Sequence, residues 1–196
     1  MTNPLPTITA YSYCLELQHN LEVHKCLDFA TTCEVSTDYL FGPAKGTMFG
    51  ILVCTDSDGN EVVLKAFSGQ YNGQWEVPGW VLPALDQVKY QKIVDASAAA
   101  ILNLSHAIED GNTELLAQRK ELSQNTQREI NTLYRFHCID GTITTIQEVF
   151  GKSCPPTGTG DCCAPKLLNH AFKNGLTPIS MAEFFYGSNT QYKMHK

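Results

Sequence analysis

The sequence predicts a layered α/β (or α+β) domain, in which a sheet with a central antiparallel hairpin carries helices on both faces and an inserted αα-hairpin. Three observations predict this class: two apolar, β-rich runs flank an Asp-Gly turn, those runs are almost continuously apolar, and a long stretch of helix-forming residues follows them. The 196 residues suit one domain spanning 1–196.

The first 45 residues are predicted to be a helical lead-in. Residues 12–40 carry apolar residues at helical spacing, and Gly42 and Pro43 would end that helix. His19, Cys26 and Cys33 follow one another at seven-residue steps, which would place them on one helix face. Such a trio could bind a metal, but burial of the two thiols in a core is the more common outcome, and we do not predict a metal there.

The hairpin is the clearest β signal in the chain. The runs 47–54 and 61–67 are separated by the turn-forming residues 55–60. Because both runs are apolar at nearly every position, both strands are expected at the centre of the sheet, and Val63→Asp is expected to destabilise the protein strongly. The Gly-rich, aromatic segment 69–80 then predicts a loop, in which Trp75 and Trp80 serve as core or lid residues.

Residues 88–136 are predicted to form the inserted αα-hairpin, broken at 110–112. Six basic and six acidic residues lie between Lys89 and Arg135, so the surface is electrically balanced and suits an interaction arm. A second short hairpin is expected at 135–146, followed by a helical turn up to Phe150.

Residues 154–187 predict a Gly-rich turn, a Cys-bearing helix and a strand. A Gly-rich turn that opens a helix directs unpaired backbone N–H groups into one small volume, which can bind an anion. Asp161 is predicted to cap the helix, and Pro165 suits its first turn. The candidate substrate- or anion-binding residues are Gly158, Gly160, Asp161, Cys162 and Lys166. Adjacent residues at a helix start point about 100° apart, so we expect Cys162, not Cys163, to face this turn and to be alkylated faster.

Several segments carry a resemblance to a known family. They are GTMFGILV (46–53), AFSG (66–69), GWV (79–81), PPTGTGDCCAPKLL (155–168) and AEFFYG (182–187). The region from about residue 46 to Lys196 resembles an amino-terminal accessory region that precedes the catalytic domain in a subgroup of bacterial RluA-type pseudouridine synthases. The first 45 residues match it poorly. This resemblance implies an RNA-modification setting and RNA or a synthase domain as partner.

The resemblance does not extend to the synthase catalytic motif. Synthases of this type place their catalytic Asp in an Arg-Leu-Asp context, and this tripeptide does not occur in the sequence. The chain is therefore expected to be an accessory or binding domain rather than a synthase.

A more distant likeness concerns zinc deaminase-like folds, and it implies an alternative function as a nucleoside or nucleotide deaminase-like protein. Cys162 would be its first zinc ligand. Ala164 stands where the proton-shuttling Glu is expected, and no further cysteine follows Cys163 up to Lys196. One thiolate cannot hold zinc, so the site would be incomplete unless Cys154, Cys163 or His195 completed it. We therefore expect this chain alone to catalyse neither uridine isomerisation nor base deamination.

Composition and charge exclude other classes. The longest apolar run is 48–53, far short of a membrane span, and residues 1–10 hold no Lys or Arg, so a cytoplasmic protein is expected. The net charge of −6 argues against unaided RNA binding through a basic surface. The eight cysteines contain no Cys-x-x-Cys pair, and in a cytoplasmic chain reduced thiols are expected.

Overall fold

The computed structural model describes residues 5–30, 32–42, 44–151, 153, 155–156, 158–188 and 194–195, with only the backbone for the last pair. Its chain divides into two compact units. The sheet unit comprises Met1–Ala84, His137–Thr142 and Gly160–Lys196, and the arm unit comprises Leu85–Phe136 and Ile143–Thr159. Each is described separately below.

The sheet unit contains a four-stranded antiparallel sheet with the strand order β2-β1-β5-β6. The strands are β1 (Thr47–Thr55), β2 (Glu61–Phe67), β5 (Thr177–Tyr186) and β6 (Met194–His195). Two helices contact it, α1 (Ile8–His24) and α6 (Cys163–Lys173), and the short α2 (Asp38–Phe41) lies between α1 and β1 in sequence. The predicted mixed α/β class is confirmed.

The side chains of β1 point alternately to the two faces of the sheet, and this explains why helices lie on both faces. Phe49, Ile51 and Val53 pack in one apolar cluster with residues of α1, while Leu52 and Cys54 pack in another cluster with residues of α6. Because successive side chains of a strand point to opposite faces, a strand covered on both sides must be apolar at every position. This requirement accounts for the uninterrupted apolar run that the sequence shows in β1.

The position of β2 differs from the prediction. It lies at one edge of the sheet formed by the described strands, whereas β1 and β5 occupy the centre. Helix α1 contacts β1 and β5, and Val63 of β2 remains 39% exposed. The expectation that both hairpin strands are central was therefore wrong for β2, and the exposure of Val63 removes the reason to expect a severe effect of Val63→Asp. An apolar run alone does not tell which of two paired strands has a second neighbour.

The amino-terminal helix also ends earlier than predicted. Helix α1 stops at His24, and Lys25 adopts a left-handed conformation with φ of 52°. Cys26 and Cys33 follow in a loop and form a disulfide, which overturns the expectation that all thiols are reduced. His19 is exposed on α1. The three residues therefore do not share one helix face.

The segment after β2 belongs to the core. Trp75 and Trp80 are both buried, and the Trp80 indole N–H donates to the Leu27 carbonyl over 2.8 Å. The Trp80 ring contacts those of Phe49 and Phe67 at centroid distances of 5.5 and 5.6 Å. The core role predicted for both tryptophans agrees with this packing.

The arm unit contains the predicted helix pair. Helix α3 (Gln87–Glu109) begins at Asp86, whose side chain accepts from the Lys89 backbone N–H. A turn at Gly111 (φ 103°) and a 3-10 turn (Thr113–Leu115) lead to α4 (Leu116–Asn131). After α4 comes the short strand β3 (Phe136–His137), whose His137 already belongs to the sheet unit. The short strand β4 (Ile143–Thr144) and α5 (Ile146–Phe150) belong to the arm unit.

Candidate functional site

The candidate site is built around the start of α6, in the sheet unit. Gly160 reaches a φ of 98°, a conformation that glycine adopts readily, and the chain then turns into the helix. The residue at the N-cap is Cys162, which makes no side-chain capping hydrogen bond. The prediction of Asp161 as the cap was therefore wrong by one residue. Asp161 instead uses its backbone carbonyl, which accepts from the Gly69 N–H over 2.9 Å.

Glu183 supplies the carboxylate that the helix start needs. Its Oε1 accepts from the Ala164 backbone N–H over 3.0 Å, and the residue comes from β5 rather than from the turn. A negative charge at a helix N-terminus is stabilising because it faces the positive end of the helix dipole. An incoming anion would meet this carboxylate and would find that backbone N–H already bonded.

Sequence reasoning missed Glu183, although a signal was present. It is an acidic residue between the apolar Ala182 and Phe184 in the strand β5. Its register places it beside Gly50 of β1 and His195 of β6. An acidic residue within an apolar strand indicates a carboxylate with a specific partner. The sequence does not show that this partner is the start of α6, because the contact between β5 and α6 arises only in the tertiary fold.

Lys166 lies at the centre of the site and is only 1% exposed. Its Nζ donates to the carbonyls of Phe67 and Gly69 over 2.9 and 2.7 Å, and it lies 5.0 Å from the centroid of the Phe67 ring. Burial lowers the pKa of its ammonium group, while the charge of Asp161 acts in the opposite direction. Lys166 thus connects α6 to the end of β2 through hydrogen bonds to two backbone carbonyls.

We expect Lys166→Met to destabilise the sheet unit by about 1–2 kcal/mol at neutral pH, because the Phe67 and Gly69 carbonyls lose their donor while the apolar stem is kept. The exposed Lys173 on the same helix provides the matched control, and Lys173→Met should change the free energy of unfolding by less than about 0.5 kcal/mol. Urea denaturation followed by tryptophan fluorescence measures both, since Trp75 and Trp80 belong to this unit. Equal effects of the two substitutions would contradict a structural role for the Lys166 hydrogen bonds.

The pH dependence of the same variant gives a second test of Lys166. Since its folded-state pKa lies below the ordinary value of 10.5, the unfolded chain binds more protons in the interval between the two values. The wild type should therefore gain stability relative to Lys166→Met as the pH rises through that alkaline interval. An unfolding free-energy difference that stays constant with pH would contradict this direction.

The two adjacent cysteines have different environments. Cys163 is buried, and its thiol lies 3.3 Å from the Met48 carbonyl and 3.6 Å from that of Ala66. Burial is the main cause that raises the pKa of the Cys163 thiol, and the charge of Glu183 raises it further. Cys162 is exposed. The structure thus places one thiol in the core and the other in contact with solvent.

We expect iodoacetamide to alkylate Cys162 at least tenfold faster than Cys163, because only the thiolate reacts and the buried thiol resists ionisation. Both residues lie in one tryptic peptide, so fragment ions between 162 and 163 are needed to assign the modification. Cys14 is the buried control, since burial raises its pKa to about 12. Faster labelling of Cys163 than of Cys162 would show that α6 leaves the sheet in solution.

The remaining predicted residues lie outside the sheet unit or outside the described side chains. Gly158 belongs to the arm unit and has a φ of 80°. Cys154 lies outside the described residues, and for His195 only the backbone position in β6 is described. The described part of the site therefore consists of Gly160, Asp161, Cys162 and Lys166, with Glu183 and Cys163 added.

A possible metal-binding group lies elsewhere in the sheet unit. Among the described residues, the one cluster of three or more potential ligands is Cys26, Asp28 and Cys33. Cys162, the predicted zinc ligand, is not part of it. In the structure the two cysteines of the cluster are joined as the disulfide.

Comparison with protein-family models finds no family that matches, and comparisons with curated proteins and with solved structures find no match either. Within the described ranges, no helix has both the length and the apolar character required to cross a bilayer.

Proposed function

We propose that this chain is an accessory binding domain in an RNA-modification setting, and that its arm unit docks a pseudouridine synthase domain. The observation that carries the proposal is helix α3, which has 23 residues and no buried one. A helix gains most of its stability from burying an apolar face, so a long helix without a buried residue is unusual unless a partner covers it. The exposed apolar residues of the helix pair include Val88, Leu102 and Leu116.

A groove in the arm unit supports the proposal of a binding surface. It has a volume of about 850 Å³, and its lining includes Ile101, Leu116 and Ile130. Pro155 and Pro156, which begin the most specific segment of the family resemblance, also line it. The segment that suggests an RNA-modification setting and the exposed helix pair thus contribute to one groove within one unit.

The charge of the groove favours a protein partner with acidic side chains. Among the described residues that line it, Arg119 and Lys120 lie together with amide and hydroxyl side chains, and none is Asp or Glu. Two cations in the groove of a helix pair that is charge-balanced as a whole, in a chain with a net charge of −6, are too few to bind an RNA backbone tightly. They suffice to orient a protein segment that presents apolar and carboxylate groups.

The test measures binding of the full chain to an isolated RluA-type synthase domain by calorimetry. Leu116→Glu, which places a charge in the groove, should weaken binding at least tenfold. Val149→Glu alters an exposed apolar residue of the arm unit that lies in α5 and does not line the groove, and binding should stay within twofold. Circular dichroism of both variants checks that the helices persist.

Two results would overturn the proposal. One is the absence of binding to synthase domains, and the other is tight, salt-dependent binding of a structured RNA by the chain alone. The deaminase-like alternative is not proposed, because no described observation favours it: the carboxylate that reaches the start of α6, that of Glu183, is bonded to the Ala164 backbone.

A further inference from the structure

We infer that Cys26, Asp28 and Cys33 form a redox-controlled site for a thiophilic divalent cation such as Zn²⁺, which binds when the disulfide is reduced. The potential ligand atoms of the three residues all lie within 4.8 Å of one another. Cys26 is buried, Asp28 is half-buried and Cys33 is exposed, so the cluster spans from the core to the surface. Two thiolates and one carboxylate with an open fourth position make a plausible zinc ligand set.

The position of Asp28 supports a ligand role. Its Oδ1 lies 2.6 Å from the Cys26 sulfur. A disulfide sulfur has no proton to donate, so this approach is not a hydrogen bond while the disulfide is intact. After reduction and loss of the thiol protons, the same oxygen and sulfur carry negative charge and need a cation between them.

The backbone of the loop holds Asp28 in place by other means. Its Oδ1 accepts from the Ala30 N–H and its Oδ2 from the Glu34 N–H, over 3.2 and 3.1 Å. Hydrogen bonds of this kind orient a ligating carboxylate and raise metal affinity. The loop therefore already contains the outer contacts that a metal site requires.

The two cysteines are also held close without the disulfide. The Leu27 carbonyl accepts from the Trp80 indole, and the Ser36 carbonyl accepts from the Tyr71 hydroxyl over 2.9 Å. Backbone hydrogen bonds join Leu27 to Val35 and Thr37 to Lys25, each over 2.9 Å. Because these contacts lie on both sides of the cysteine pair, reduction should leave the thiols near each other and ready to chelate.

The chemical step is a two-electron exchange. A dithiol reductant attacks the disulfide, the bond between the Cys26 and Cys33 sulfurs breaks, and the reductant leaves as its own disulfide. Two electrons and two protons pass to the protein, giving two thiols. The cation then replaces the two thiol protons, which are released to solvent. Disulfide and metal thus exclude each other.

The test uses Co²⁺ as a spectroscopic probe on the full chain under anaerobic conditions, with a phosphine reductant that itself is not a thiol. The reduced wild type should bind one Co²⁺ per chain, with a thiolate-to-cobalt charge-transfer band and the intense visible bands of tetrahedral coordination, and Zn²⁺ should displace it. The oxidised chain should show no such bands.

Three variants locate the site. Cys33→Ser should abolish the charge-transfer band of a two-thiolate site, and Asp28→Asn, which keeps an oxygen for the backbone, should weaken binding at least tenfold. Cys162→Ser changes an exposed thiol outside the cluster and should leave binding unchanged. Zn²⁺ should also raise the Tm of the reduced wild type and not that of Cys33→Ser. Absence of Co²⁺ binding by the reduced wild type, or binding that depends on Cys162 and not on Cys33, would overturn the inference.

Discussion

Val53→Asp is expected to lower the free energy of unfolding of the sheet unit by roughly 4 kcal/mol, whereas Val63→Asp should lower it by less than about 1 kcal/mol. The two valines are direct partners in the β1–β2 ladder. Val53 is 1% exposed and belongs to the cluster that α1 covers, while Val63 on the edge strand is 39% exposed. A carboxylate at 53 would be buried without a counter-ion, but at 63 it can reach water.

Each of the two variants serves as the control for the other, because both positions hold a valine, receive the same substitution and lie in the same strand pair. Urea denaturation followed by tryptophan fluorescence gives the two free energies. If Val53→Asp does not fold, the isosteric substitutions Val53→Thr and Val63→Thr replace it in the comparison. The free energy of unfolding should then fall by about 1–2 kcal/mol for Val53→Thr only. Equal losses at the two positions would show that Val63 is also covered in solution, on the face of the sheet against which α1 packs.

The same pair shows how far the sequence could predict the fold. The β-rich runs, the turn between them and the helices of the arm follow from local patterns: continuous apolar runs, helical spacing of apolar residues and the glycine at 111. The edge position of β2 does not follow from local patterns. It depends on whether β5 pairs with β1 or with β2, and β5 lies more than a hundred residues after both strands. Local patterns contain no information on that choice.

The candidate site was predictable to a similar degree. The Gly-rich turn, the helix after it and the contrast between Cys162 and Cys163 follow from spacing and helix geometry. The role of Lys166 does not, since a lysine is normally exposed and only the packing of α6 on the end of β2 buries it. The Glu183 cap and the Cys26–Cys33 disulfide likewise join segments whose proximity only the fold creates.

Gly50 in β1 marks the place where α6 comes closest to the sheet. A Cβ added at this position would lie 2.6 Å from the Cys163 Cβ and 3.1 Å from a methyl carbon of Leu167. The first contact is shorter than two carbon atoms can tolerate, and it involves a rigid Cβ rather than the end of a flexible side chain. The glycine therefore allows the close approach that places Cys163 against the carbonyls of Met48 and Ala66.

We expect Gly50→Ala to destabilise the sheet unit by about 1–3 kcal/mol through overpacking. The sign of this change in stability is informative, because replacing a glycine inside a strand by alanine usually stabilises a protein by roughly 0.5–1 kcal/mol. Cys163→Gly removes the clashing Cβ, so in the double variant the cost of Gly50→Ala should fall by at least 1 kcal/mol relative to its cost in the wild type. The cycle is measured by urea denaturation of the four proteins. Additive effects would show that α6 does not pack on β1 at Gly50, and a stabilising Gly50→Ala would show that the helix lies farther from the sheet, leaving Lys166 and Glu183 without the positions that define the site.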